Sequence, residues 1–74
     1  MKEIFPNINV DADIQFGKPV IAGTRVPVDI IVGHIAAGMS VAEVMKEYRL
    51  KREDVLAALQ YASKVVSEEL VMAR

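Results

Sequence analysis

The apolar positions of this 74-residue chain change their period near Pro27. Upstream, Ile8-Asn9-Val10 alternates apolar and polar residues, and Pro19-Val20-Ile21 and Arg25-Val26 are β-branched pieces on either side of Ala22-Gly23-Thr24. Alternation at period two places one row of side chains on one face, so these pieces predict short strands joined by a tight turn. Gly17 and Gly23 mark positions where a positive φ or a close backbone approach is expected. Pro19 and Pro27 have no N–H to give to a ladder, which confines their strands to sheet edges or strand ends.

Downstream the period becomes three and four. Ile30, Ile31, His34, Ile35 and Ala37 predict a helix over 28–37, with Asp29 favourable in its first turn and Gly38 a fitting stop. Ser40-Val41-Ala42-Glu43 has capping-box spacing, in which the serine oxygen and the glutamate carboxylate satisfy each other's free backbone N–H, and it predicts a second helix over 41–48. Val55, Leu59, Ala62, Val66 and Leu70 then repeat at four, three, four and four, an apolar stripe on a long third helix running toward the C-terminus. Three helices with short connections, the second short and the third long, outline a tri-helical helix-turn-helix, with Val41, Val44, Leu50 and Val55 placed to meet beneath its turn. The expected fold class is mainly α, a short N-terminal β element followed by a helix-turn-helix bundle. One domain is expected over 1–74, divided into a β-rich arm or hairpin over 1–27 and the bundle over 28–74.

Size makes such a domain marginal. Surface scaling gives a folded area of roughly 4,500 Å² and burial of only about 60% of the chain's surface. With no cysteine to form a disulfide, self-association is the expected supplement, by default as a two-fold homodimer, through either Ile4-Phe5-Ile8-Val10 or the end of the third helix. Hydrophobic residues make up 53% of the chain, too many for a disordered tail, yet no apolar run approaches a membrane span. The N-terminal residues show no apolar run and no small-residue cleavage site, so a cytoplasmic location is expected.

A net charge of −1 denies the chain a strong global positive field, so any DNA contact must be local. Residues 46–52 supply one, with Lys46, Arg49, Lys51 and Arg52 against Glu47 alone. They sit at the helix-turn-helix turn, where phosphate contacts would be made. The third helix would then present Arg52, Glu53, Ala57, Gln60 and Lys64 along the groove, with Gln60 suited to adenine and Arg52 to guanine or phosphate. Lys51 falls in the N-cap slot of that helix, where a cation opposes the helix dipole. Either a DNA phosphate compensates it, or Glu53 and Asp54 do and the basic residues simply solvate a surface.

No catalytic constellation is visible. Ser40 is explained by capping, Ser63 and Ser67 have no base partner, and His34 has no second histidine, cysteine or paired carboxylate to make a metal site. His34 reads as a core or interface residue. The chain is therefore expected not to be an enzyme, and to need neither a cofactor, a metal ion nor a small-molecule substrate.

The segment Gly17-Lys18-Pro19-Val20-Ile21-Ala22-Gly23-Thr24-Arg25-Val26-Pro27-Val28, with Gly38, Glu43 and the later Leu56-Ala57-Ala58-Leu59-Gln60-Tyr61-Ala62, closely resembles the domain of unknown function 433 family over about residues 8–62. The resemblance implies a homeodomain-like three-helix bundle and a VapB-like antitoxin role, as the partner of a PIN-like nuclease toxin. One departure stands out: relatives usually cap the third helix with Thr or Ser, often followed by Pro-Glu-Asp, where this chain has Lys51-Arg52-Glu53-Asp54.

Two readings of Gly23-Thr24-Arg25 stand side by side. In one it is a structural hairpin signature, with Thr24 bonding the local backbone and Arg25 braced against a carboxylate such as Asp29. In the other, Arg25 reaches the acidic metal-binding centre of a partner nuclease. An equal candidate for the partner surface is the end of the third helix, where Val66 and Leu70 provide more apolar surface than a small core needs.

Overall fold

The computed structural model describes the backbone of residues 1–72 and the side chains of residues 1–69. Three short strands, β1 (Lys2–Phe5), β2 (Ile8–Val10) and β3 (Val20–Ile21), form an antiparallel sheet in the order β1-β2-β3. Three helices follow, α1 (Val28–Ala36), α2 (Val41–Tyr48) and α3 (Arg52–Met72). The chain is thus mainly helical with a small N-terminal sheet.

The expected strand at residues 8–10 is present as β2, and Val20–Ile21 is β3 with Pro19 just before it. Arg25-Val26 is not a strand. It is the return leg of a turn in which the Ile21 N–H bonds the Val26 carbonyl at 3.0 Å and Val20 bridges Pro27. Thr24 holds that turn as expected: its hydroxyl donates to the Ile21 carbonyl at 2.8 Å and accepts from the Val26 N–H at 3.0 Å. Gly23 takes a φ of +76° there. β1 is an addition. Its register slips between Glu3 and Phe5, and this bulge breaks the alternation that would have announced the strand.

Local signals end α1 and bound α2 on both sides. α1 stops one residue short of the predicted end, with the Met39 N–H on the His34 carbonyl and the Gly38 N–H on the Ile35 carbonyl, both at 3.0 Å. This is a Schellman stop, and Gly38 supplies the positive φ it requires. α2 spans the predicted residues under its capping box, with the Glu43 N–H on the Ser40 hydroxyl at 3.1 Å and the Ser40 N–H on the Glu43 carboxylate at 2.8 Å. It ends at Arg49, which adopts the left-handed conformation at φ 55°.

The core lies between the sheet and the three helices. Ile8, Ile21, Ile31, Val44, Val55 and Ala58 are fully buried, and Leu50 joins them beneath the α2–α3 turn with Val41 packed alongside. The apolar stripe of α3 needs correcting. Val55 lies on it and is buried, but Val66 is 53% exposed and Leu70 lies outside the described side chains. Ala57 and Ala58, which are off the stripe or beside it, are buried instead. α3 is gripped on two sides over its first half, by the other helices and by the sheet, and of residues 63–69 only Val65 is not exposed. Phe5 of β1 closes the sheet side by packing its ring on Tyr61 at 5.6 Å between centroids.

Candidate functional site

The α2–α3 turn exposes all four basic residues of the expected DNA patch, Lys46, Arg49, Lys51 and Arg52. Among the described residues the ion pairs are Lys18–Asp29 and Lys64–Glu68, so none of the four is neutralised by a carboxylate. Lys51 occupies the N-cap position, and its handicap there is met from within the chain. Its backbone N–H donates to Asp54 Oδ2 at 2.9 Å, the return half of a capping box in which the N-cap side chain plays no part. The other oxygen of the same carboxylate, Oδ1, accepts from Asn7 Nδ2 at 2.6 Å. Asp54 therefore fastens the β1–β2 turn to the first turn of α3.

That fastening alters the face of α3 expected to enter a groove. Ala57 is only 7% exposed because the sheet packs over it, and it is removed from the set of groove-facing residues. Gln60 remains exposed and, with Lys51, Asn7 and Ala22, lines a groove of about 560 Å³. Lys64 is drawn sideways, with Nζ 6.0 Å from the Phe5 ring centroid and 3.4 Å from Glu68 Oε1. Arg52 and Glu53 are exposed.

Arg25 is exposed, and its expected brace is absent: Asp29 instead pairs with Lys18 at 3.3 Å. The turn uses only the backbone of Arg25, whose carbonyl accepts from Gln15 Nε2 at 3.1 Å. The guanidinium, with its five donors, is left to solvent. The neighbouring 3-10 turn, Gln15–Gly17, displays Phe16 at 99% exposure. Sequence patterning does not single Phe16 out, because Ile14 two positions before it and Val20 four positions after it are equally apolar and are not exposed.

Val66 lines a second groove, about 470 Å³, between α1 and the outer half of α3, with Pro19, Val28, Val32 and Tyr61 among its walls. His34 is half-buried, its Nε2 2.6 Å from the Tyr48 hydroxyl, and so ties α1 to α2. The Glu43 carboxyl is held below its ordinary value by the Ser40 backbone N–H and, less, by the Ser40 hydroxyl. Among the described residues no three His, Cys, Asp or Glu side chains gather as a metal-binding group, and no helix is long and apolar enough to cross a membrane.

Two crystal structures are similar to this fold. A DUF433 member protein from Anabaena variabilis superposes with a TM-score of 0.76 at 26% identity, covering 92% of this chain and 69% of its own. Rv2018 from Mycobacterium tuberculosis gives 0.66 at 28% identity over 72% of this chain, but only 25% of its own length is matched. No curated protein matches the chain. The family model described as a protein of unknown function (DUF433) matches residues 8–62, which hold β2, β3, the Arg25 turn, α1, α2 and the first half of α3, and the chain belongs to the DUF433 family.

Proposed function

We propose that this chain is a cytoplasmic, non-enzymatic antitoxin: a homeodomain-like helix-turn-helix module that neutralises a PIN-like ribonuclease toxin by direct contact and binds operator DNA through α2, the turn and α3. The observation that carries the reading is the free guanidinium of Arg25. A hairpin arginine that braced its own fold would pair with Asp29, whereas here Lys18 takes that carboxylate and Arg25 faces outward. A nuclease that holds Mg²⁺ through carboxylates offers a planar, bidentate partner for such a group. Arg25 inserted there competes with the ion for the same oxygens, and no cofactor is needed. Val66, half-exposed on α3, extends the partner surface, and Leu70 lies outside the described side chains.

The basic residues of the α2–α3 turn support the DNA half of the reading, with Lys46, Arg49, Lys51 and Arg52 on phosphates and Gln60 toward base edges. One observation favours a second reading, a toxin-capture module that binds no DNA. Asp54 is already committed within the fold, and the sheet covers Ala57, leaving a recognition face narrower than a bare helix offers.

The test pairs two assays on the purified chain with a PIN-like nuclease, sought in the reading frame beside its own. Stoichiometric wild type should abolish RNA cleavage, and Arg25→Ala should fail to do so while Arg25→Lys recovers part of the inhibition. Mobility shift on the upstream DNA, with and without the nuclease, decides between the two readings. Uninhibited cleavage in the presence of excess wild-type chain would remove the antitoxin assignment altogether.

A further inference from the structure

Gln15, Phe16 and Gly17 hold positive φ in succession, at 50°, 57° and 81°. Two of the three carry side chains that resist this region, so the conformation persists only because its surroundings impose it, and strain of this kind collects where proteins meet their ligands. Three bonds impose it here: the Gly17 N–H on the Ile14 carbonyl at 3.0 Å, the Lys18 N–H on the Gln15 carbonyl at 3.1 Å, and Gln15 Nε2 on the Arg25 carbonyl at 3.1 Å. The first two tighten the turn on itself. The third ties it to the Arg25 turn, ten residues away. The turn so held carries Phe16 at 99% exposure, its ring packed on nothing among the described residues.

Phe16 and Arg25 therefore belong to one patch. Phe16 follows directly on the residue whose side chain grips the Arg25 backbone, about 3.8 Å further along the chain, and Ile14 lines the same cleft of about 200 Å³ as Arg25. A stable interface draws on about 800 Å² of each partner, so a contact centred on one of the two residues takes in the other. Arg25 needs such a neighbour. An exposed guanidinium contributes little to a complex while water screens it, and Asp11, on the wall of the same cleft, opposes an incoming carboxylate. An ion pair gains strength when apolar contacts around it exclude water. An aromatic ring held beside the pair does this.

We propose that Phe16 is the second anchor of the Arg25 surface: it inserts into an apolar pocket beside the carboxylate cluster that Arg25 engages on the partner nuclease, and it seals that ion pair from water. The inference rests on the antitoxin reading and adds the partner's chemistry to it, since the complementary face of the nuclease then carries an apolar pocket next to its acidic centre. The strained turn has a consequence for affinity. A ring already held in its bound position loses little conformational entropy on contact, and the Gln15 tether fixes that position relative to Arg25 before the partner arrives.

Calorimetric titration of the full chain against the PIN-like nuclease, run beside the RNA-cleavage assay, tests it. Phe16→Ala should weaken binding about ten- to hundredfold, and Phe16→Leu should keep part of the affinity. Because the ring is exposed, Phe16→Ala should melt with the wild type. Phe16→Gly, which accepts the positive φ, should bind as weakly as Phe16→Ala and melt no lower than the wild type. The seal has its own signature: affinity of Phe16→Ala should fall more steeply with salt than that of the wild type. The loss in Phe16→Ala and Arg25→Ala combined should be smaller than the product of the two single losses. If the wild type inhibits through Arg25 and Phe16→Ala binds just as tightly, this inference is overturned and the antitoxin reading stands. Single losses that multiply in the double variant, or weakened binding that comes with a lowered melting temperature in Phe16→Ala, would overturn it equally. A wild type that binds no such nuclease removes both.

Discussion

Asn7 and Asp54, 47 positions apart, are joined by a 2.6 Å hydrogen bond between the Asn7 side-chain amide and Asp54 Oδ1. The second oxygen of the same carboxylate accepts the Lys51 N–H. One side chain thus does what a Thr or Ser cap would leave half undone: it satisfies the helix end and anchors the hairpin. Asn7 suits its own place as well, since it takes a φ of 67° in the two-residue Pro6–Asn7 turn, a conformation asparagine tolerates better than most residues.

The first prediction follows from that pair. Asp54→Ala should destabilise the fold by about 1–3 kcal/mol, since two bonds to a charged group are lost together. Asn7→Gly, which keeps the positive φ, should cost less. A double-mutant cycle should return a coupling of about 0.5–1.5 kcal/mol in denaturant titrations. Strict additivity would mean that the two side chains do not interact in solution.

Ser40→Ala should destabilise the protein by about 1 kcal/mol through loss of the α2 cap. For a domain of this size that lowers the melting temperature by roughly 4–8 °C. RNA-cleavage inhibition by the folded variant should be unchanged, because Ser40 serves the helix and no chemistry.

The capping box also carries a pH signature. The folded Glu43 carboxyl titrates below its ordinary value of 4.5, so its ionised form contributes stability above that pH, and the contribution is lost as pH falls through the depressed folded value. Glu43→Gln keeps the box geometry without the titration. The stability gap between wild type and Glu43→Gln should therefore narrow on acidification below pH 4.5 and stay level above neutrality, as read by thermal melts across that range.

Arg49 stands in the left-handed region at φ 55°, ψ 46°. A side chain there costs roughly 1–2 kcal/mol, of which glycine gives back part through the entropy of the unfolded chain. Arg49→Gly should therefore stabilise the protein by roughly 0.5–1 kcal/mol. A gain in stability accompanied by a loss of DNA affinity would show why an arginine is kept in a glycine position.

Operator binding, where it occurs, should weaken linearly in log affinity against log salt, with a slope of about −0.9 per phosphate neutralised. Alanine at Arg49, Lys51 and Arg52 together should abolish specific binding, and single substitutions should flatten the slope by about 0.9 each where the side chain meets a phosphate. An unaltered slope in all three would move the contact away from this turn.

The parts of this protein legible in its sequence are those whose interactions close within a few residues. Ser40 and Glu43 cap each other three positions apart, Thr24 bonds the backbone of Ile21 and Val26, and Gly38 ends α1 by bonds to the turn just before it. Such contacts form in the sequence neighbourhood that patterning samples, which is why α2 and the Arg25 turn emerge where their residues place them. The tertiary structure decided the rest. β1 exists because it pairs with β2 and lays Phe5 on Tyr61; Ala57 is buried because that sheet crosses α3; and Asp29 is taken by Lys18 rather than Arg25. Phe16 is exposed for the same kind of reason, since Gln15 is held by the Arg25 carbonyl ten residues away and the turn it belongs to has no face against the core. These outcomes depend on which surfaces meet once the elements pack, and distance along the chain carries no record of that.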